Sequence, residues 1–395
     1  MAAANKHLTH LEDRIILNGP NGGKEAIKLL KEMGKFLTGR GGAGLQVTTK
    51  WDGAPAVVAG IDPADGRFFV GTKSVFAQQP KLMKTESEIQ SEYNGALAQK
   101  LAACLRYLPS CIKSGILQGD LMFTDDKVRK SIQGEDYVTF RPNTITYAAD
   151  PSTPLGKKIM AARVGIVFHT KYTGDSIQNL KASFKVSDND FKSGGNVWAE
   201  KAEFIDISGA ASFNKVEKQQ YDKFVNRAEG SIKKAAPMLR KINSGQKPLE
   251  FDTEFMKFFN NYVKDGQPIP SVQKAYTDYT NHLGAEFDKA TGKLKTDKSI
   301  SAKNKKWASM VFFILKNKEG IKMVIAAYMN LVAAKNLLVN KLKKVSSLRL
   351  FVDRGGGDYV CTAPEGFVAV SNDKATKLVD RLEFSKLNFT IPKVW

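Results

Sequence analysis

Residues that build redox and transition-metal sites are scarce in this chain. Of 395 residues, three are cysteine (Cys104, Cys111, Cys361) and four are histidine (His7, His10, His169, His282). They form no C-x-x-C pair and no H-x-x-x-H set, which argues against structural zinc and against a disulfide framework. Any metal is therefore expected to be a hard ion held by carboxylates and phosphates. The N-terminal stretch lacks the apolar core of a secretory signal, and Ala2 stands where myristoylation needs glycine, so a cytoplasmic protein is expected. A membrane span is not expected: the longest apolar helix candidate, Met323 to Leu342, is interrupted by Asn330, Lys335 and Asn336.

Acidic residues are also in short supply. Lys and Arg total 60 against 40 Asp and Glu, a formal charge of +20. The excess is uneven: Ala211 to Leu350 holds 27 basic and 12 acidic residues. A block of that kind calls for a polyanionic partner, most simply a phosphate backbone whose counterions it displaces. A lysine-rich solvated helical surface is the plainer alternative.

Two glycine-rich runs are without a nucleotide-loop pattern. Gly19 to Lys24 lacks the G-x-x-x-x-G-K-[ST] spacing and Glu25 follows the lysine; Gly39 to Gly44 follows no strand of a βαβ unit. Both read as turns.

Periodicity divides the remainder. Lys24 to Leu37 has helical spacing. Short strand candidates follow at Leu45 to Thr49, Pro55 to Ile61, Arg67 to Lys73, Gly115 to Phe123 and Val164 to Lys171, with helices at Glu86 to Leu108 and Pro154 to Ala162. After Phe213 the pattern is helical (Tyr221 to Ile242, Phe251 to Val263, Val272 to Phe287, Lys305 to Val345). Strand signals return at Leu348 to Asp353, Tyr359 to Thr362, Gly366 to Val370 and Thr376 to Val379. The expected fold is α+β, an antiparallel β-rich core at 1–213 and 347–395 interrupted by an inserted basic helical domain at 214–346.

Within the β-rich parts, chemistry-bearing residues recur at strand ends. Thr49-Lys50-Trp51-Asp52-Gly53 is a K-x-D-G run after an apolar stretch. Lys73 ends the strand Phe68 to Thr72, Gly119-Asp120 places a carboxylate inside an apolar strand, and Phe168 lies near the end of another. Beyond the helical block come Glu365-Gly366-Phe367-Val368 and Lys377. The K-x-D-G run alone is weak; six such features in order are far more specific.

In that order the chain resembles the covalent nucleotidyltransferase superfamily of ATP-dependent DNA ligases, RNA ligases and mRNA-capping enzymes. Its Lys-Trp-Asp-Gly-Ala-Pro form looks most like an uncharacterised RNA-ligase-like branch of large tailed phages. The resemblance covers roughly residues 40–175 and 350–390 and implies an ATP-grasp-like ligase core. It implies that Lys50 is the nucleophile that takes up AMP, with Lys377 assisting. Thr49, Asp52, Gly53, Lys73, Asp120, Phe168, Glu365 and Lys377 would contact the nucleotide, Phe168 by stacking on the purine, and Asp120 and Glu365 would hold Mg²⁺. ATP and Mg²⁺ are the implied cofactors. A neutral lysine is needed for attack, so Lys377 and the metal are expected to lower the hold on the Lys50 proton.

Three departures shape the expectation. The usual second lysine two positions after Lys377 is Val379, with Arg381 or Lys386 as substitutes. No arginine follows K-x-D-G closely, and only 18 residues follow Lys377, too few for an OB domain. These favour an RNA ligase, gripping RNA rather than DNA through the basic helices, with Lys303, Lys305, Lys306, Lys341, Lys343 and Lys344 as the grip. The alternatives are a DNA ligase, a nucleic-acid-binding protein whose nucleotidyltransferase fold no longer turns over, and an enzyme that delivers its adenylate to a protein or small molecule.

Overall fold

The computed structural model describes residues 8–39, 45–203, 212–243, 251–344, 348–353, 359–362, 364–371 and 374–382. From the N-terminal side, β1 (Thr9–His10) and the long helix α1 (Arg14–Phe36) precede β2 (Leu45–Lys50), β3 (Ala56–Ile61) and β4 (Phe68–Gly71). Then come α2 (Glu86–Glu92), α3 (Gly95–Tyr107), β5 (Ile116–Phe123) and a meander of β6 (Val128–Ile132), β7 (Glu135–Phe140) and β8 (Ile145–Ala149). Helix α4 (Pro154–Ala161) leads to β9 (Val164–Thr173), β10 (Lys181–Ser183) and β11 (Val197–Lys201). Five helices follow: α5 (Lys215–Asn243), α6 (Phe251–Asp265), α7 (Val272–Thr291), α8 (Asp297–Lys316) and α9 (Lys318–Leu342). The chain returns to strands with β12 (Arg349–Asp353), β13 (Tyr359–Cys361), β14 (Gly366–Ser371) and β15 (Lys374–Val379). The α+β class expected from periodicity is the class observed.

Local chemistry explains the element ends that periodicity blurs. The helical run expected from Glu86 to Leu108 is two helices, the first started by a Thr85–Glu88 capping box. The second begins at Gly95, whose φ of 60° suits glycine. The run expected from Lys305 breaks at Asn317, between α8 and α9. The Gly19 turn is real but sits inside a longer helical stretch: α1 kinks at Gly19–Pro20 and is helical on both sides.

Three sheets organise the β part. The first has the order β1-β15-β14-β2, antiparallel except where β1 runs parallel to β15. The second has the order β10-β9-β5-β3-β4, with β11 running parallel beside β9. The third, β13-β12-β8-β7-β6, joins the meander to two strands from the far side of the helical block.

Alternation along the strands decides what each sheet buries. In the first sheet, Val47, Phe367, Ala369 and Leu378 enter the largest core, which they share with the helices. In the second, Val57, Ala59, Leu117, Ile166 and Phe168 pack with α3 residues Leu101 and Cys104. The opposite faces of these sheets are left to meet each other, and the polar strand residues lie there.

Helix α1 packs chiefly against α5 and α9 and only lightly against β2, the strand that follows it in sequence. The Tyr221 hydroxyl donates to the Leu30 carbonyl at 2.8 Å. A Cβ at Gly23 would lie 2.6 Å from Ile232 Cγ2, so that glycine lets the two helices approach closely. The expected division at 213/214 thus runs between α1 and the helices that bury it. Helix α9 is long and apolar enough to cross a membrane, but its residues Val324, Tyr328, Leu331 and Leu338 are buried in this helical core.

Candidate active site

Lys50 is the last residue of β2, opposite Gly366 at the start of β14. Two residues earlier, Thr48 pairs with Val368, which on its other side pairs with Lys377 of β15. The period of two therefore puts Lys50 and Lys377 on the same face, the one turned away from the helices. Glu365 is buried and its carboxylate is ion-paired with the Lys50 ammonium. Thr49 shares the other face, that of Val47 and Phe367, and its N–H donates to the Ala202 carbonyl at 2.7 Å.

Asp120 approaches from the second sheet. It lies in β5 between Ala56 of β3 and Val167 of β9. Its ring of neighbours includes His169, whose Nε2 is 3.9 Å from Asp120 Oδ1. The pairing of β5 with β9 skips one residue, so that Gln118 faces Thr170, Gly119 faces Phe168, and His169 is the extra residue of a bulge. A bulge shifts side-chain parity and re-aims its neighbours. Here it puts His169 on the Asp120 side and leaves Phe168 on the other, fully buried against Phe191. Phe168 is thus a core residue with no open ring face, which corrects its expected role as a stacking platform.

The K-x-D-G turn is held by its aspartate. Asp52 accepts hydrogen bonds from Asn143 Nδ2 at 2.8 Å, from Thr144 N and Oγ1 at 2.7 and 2.6 Å, and from Ile145 N at 2.9 Å. Its own N–H donates to the Tyr147 hydroxyl at 2.8 Å. With its oxygens so occupied, Asp52 fixes the Lys50 turn to the start of β8 instead of offering a free contact to a nucleotide. Gly53 is required by space, since a Cβ there would lie 2.5 Å from Asp120 Cβ. The peptide Ala54–Pro55 is cis. Gly366 is similarly confined, 2.5 Å from the Leu378 carbonyl oxygen for an added Cβ. These two glycines let the lysine and both acids come together.

The electrostatics differ from the expectation of a depressed lysine. Burial alone would lower the Lys50 pKa, yet Glu365, with Asp120 and Asp52 behind it, outweighs burial and raises it above the ordinary value. Burial raises Glu365 against the pull of Lys50. Burial likewise lifts Asp120 to about 7, with Lys50 opposing and Asp52 adding to the rise. Lys377 is lowered, first by burial and then by the Lys50 charge. Lys73 starts a 3₁₀ turn over Lys73–Phe76 and lies within electrostatic reach of both Asp120 and Lys377. His169 is pushed down to about 4 by burial and by Lys50, so it is neutral near pH 7.

Arg381, expected as a stand-in for the missing lysine, is committed elsewhere. Its guanidinium contacts Asp13 Oδ1 at 3.3 Å, the Tyr328 hydroxyl at 3.1 Å, and Asn260. That network ties the segment after β15 to α6, α9 and the start of α1. Lys386 lies outside the described residues. Among the expected gripping lysines, Lys341 is paired with Glu217 at 2.8 Å and Lys343 with Asp380 at 3.8 Å.

Two histidines were missed by sequence spacing. His169 is one; the other is His10, opposite Lys377 on β1, half-buried, with its buried Nδ1 lacking a hydrogen-bond partner. Neither has a local motif, because each reaches the site only through strand pairing. Among the described residues, no group of three or more His, Cys, Asp or Glu side chains converges as a metal cage.

No curated protein and no solved structure matches the chain. One family model does, spanning residues 5–393. The chain therefore belongs to DUF6267, described as a family of unknown function.

Proposed function

We propose that this protein is an ATP-dependent polynucleotide ligase, acting on RNA in preference to DNA, that stores AMP on Lys50. One observation carries the reading: Lys50, Asp120 and the β14–β15 hairpin that brings Glu365 and Lys377, three segments distant in sequence, meet between the open faces of two sheets. That arrangement supports a nucleotidyltransferase core. A cluster of two lysines and two carboxylates in a dehydrated place suits phosphate chemistry better than packing, since burying unneeded charge is costly.

In this reading Lys50 Nζ gives up its proton and bonds the α-phosphorus as pyrophosphate leaves. Lys377 and Lys73 face the negative charge that develops. AMP then passes to a 5′-phosphate end, and a 3′-hydroxyl displaces it. Asp120 and Glu365 are the residues that would hold Mg²⁺, which supplies charge neutralisation at the phosphates. Burial raises both carboxyls despite Lys50, so metal binding would have to displace any proton they hold. With only two carboxylates, the ion's other ligands would be phosphate oxygens and water, the usual pattern for Mg²⁺. Drawing Glu365 toward the metal would also release Lys50 from its ion pair.

A second reading has its own observation. The Lys50 ammonium is held by Glu365, and Arg381 is locked in a structural network, so Arg381 does not replace the missing lysine. That favours a nucleic-acid-binding protein without turnover.

The deciding experiment is incubation with α-labelled ATP or GTP and Mg²⁺, then denaturing electrophoresis, with Lys50→Ala beside wild type. The ligase reading expects a band that needs Lys50 and is discharged by pyrophosphate. No band from folded wild-type protein under any nucleotide would overturn it in favour of the second reading.

A further inference from the structure

Helix α1 carries Lys24, Lys28, Lys31 and Lys35 at steps of four, three and four, which aligns them on one helical face. At 1.5 Å per residue the row is about 16 Å long. Facing it, α5 contributes Lys233 and Arg240, one heptad apart. The two rows edge a groove of about 810 Å³ whose floor includes Ile27 and Ile232. All six cationic side chains belong to exposed residues.

Two acids share the groove, and both are already engaged. Glu229 meets Lys31 at 2.7 Å and Lys233 at 3.6 Å. Glu32 meets Lys28 at 3.8 Å and accepts the Ser371 hydroxyl at 2.6 Å. Lys24, Lys35 and Arg240 have no carboxylate partner among the described residues. The groove therefore keeps a net positive field along its length, and its counterions are available for release.

We infer that this groove binds a single strand of nucleic acid through its phosphates, on a surface separate from the Lys50 cluster. Its charge calls for a polyanion, and the choice of nucleic acid among polyanions rests on the ligase reading. α1 and α5 pack closely at Gly23 and Ile232, which leaves a furrow between the two cationic rows, and a single extended strand is the polyanion suited to lie along it. No aromatic side chain lines it, so it offers no stacking platform for bases. Binding is consequently electrostatic, indifferent to sequence and steep in salt. The groove also gives α1 a role that its place in the sequence, ahead of the β-rich core, conceals.

The test is fluorescence anisotropy of a short labelled RNA of mixed sequence with full-length protein, over a range of KCl. Wild type is compared with the triple variant Lys24→Glu, Lys35→Glu, Arg240→Glu, whose changes are all at exposed positions, and folding is checked by circular dichroism. The variant is expected to bind about tenfold or more weakly, with the slope of log K against log salt shallower by roughly 2, as for three lost phosphate contacts. Lys50-dependent labelling by α-labelled ATP is followed in parallel and is expected to be unchanged. Loss of RNA binding in the variant, with no labelling in either protein, would retain the groove and remove the ligase reading. Unchanged affinity and salt slope would overturn the groove, as would tighter binding to a duplex of the same sequence or to anionic phospholipid vesicles.

Discussion

Glu365 stands one residue before the Gly366–Lys50 strand pair, and from there its buried carboxylate closes onto the Lys50 ammonium. The Lys50 ammonium is thus held with its proton, and in the proposed reading it becomes a nucleophile only when the carboxylate is drawn away.

Replacing Glu365 by Gln removes the largest force that raises the Lys50 pKa. Burial then dominates, and the lysine is expected to titrate below its wild-type value. Reductive ¹³C-methylation and NMR titration, with Lys50→Arg to assign the resonance, give the measurement. An unchanged titration would show that the ion pair does not hold the proton.

Asp120 gives a pH signature of known sign. Its carboxyl sits at about 7 in the fold against 3.8 for the free group. Between those values the folded protein binds a proton at this site that the unfolded chain has released. Its contribution to stability therefore falls as pH rises from about 4 to 7. Asp120→Asn removes that loss, so its stability relative to wild type is expected to improve by on the order of 2–4 kcal/mol from pH 4 to 8. Urea unfolding of both proteins at the two pH values checks it; a pH-independent difference would contradict the assignment.

Lys335 and Glu12 form an ion pair at 2.7 Å with both side chains 1% exposed. It links α9 to the turn between β1 and α1. Lys335→Ala leaves buried Glu12 with only the more distant Arg381 guanidinium, 3.9 Å away, and is expected to cost about 3 kcal/mol. The joint change Lys335→Met, Glu12→Leu is expected to recover most of that loss, because desolvating the pair opposes its attraction. Urea unfolding decides; a single-variant loss comparable to a surface pair would mean that water reaches Glu12.

Much of the secondary structure was legible because each strand or helix carries its own period. β2, β3, β5, β9, β14 and β15 lie where alternation and turn residues place them, and α5, α6 and α7 follow their apolar stripes. The meander β6 to β8 was not read: β6 has four exposed residues in five, so it shows no apolar alternation. The split of α2 from α3 rests on two extended residues, Tyr93 and Asn94, followed by Gly95 in a left-handed conformation, a detail that the apolar period runs straight across. Of the expected site, Lys50, Asp120, Glu365 and Lys377 are brought together, with Lys73 in electrostatic reach. Thr49 and Phe168 face elsewhere, and Asp52 serves the turn.

The amino-acid sequence by itself determined the α+β class, the basic helical block and the order of the chemistry-bearing residues, because those are properties of neighbours along the chain. Only the tertiary structure decided their partners. It set the Lys50–Glu365 pair, the bulge that exchanges Phe168 for His169, the use of Arg381 as a brace, and the packing of α1 on α5. The reason is physical: side-chain direction depends on register, and register depends on strands hundreds of residues apart. A single extra residue in β9 reverses which side chain meets the site, and no local pattern records it.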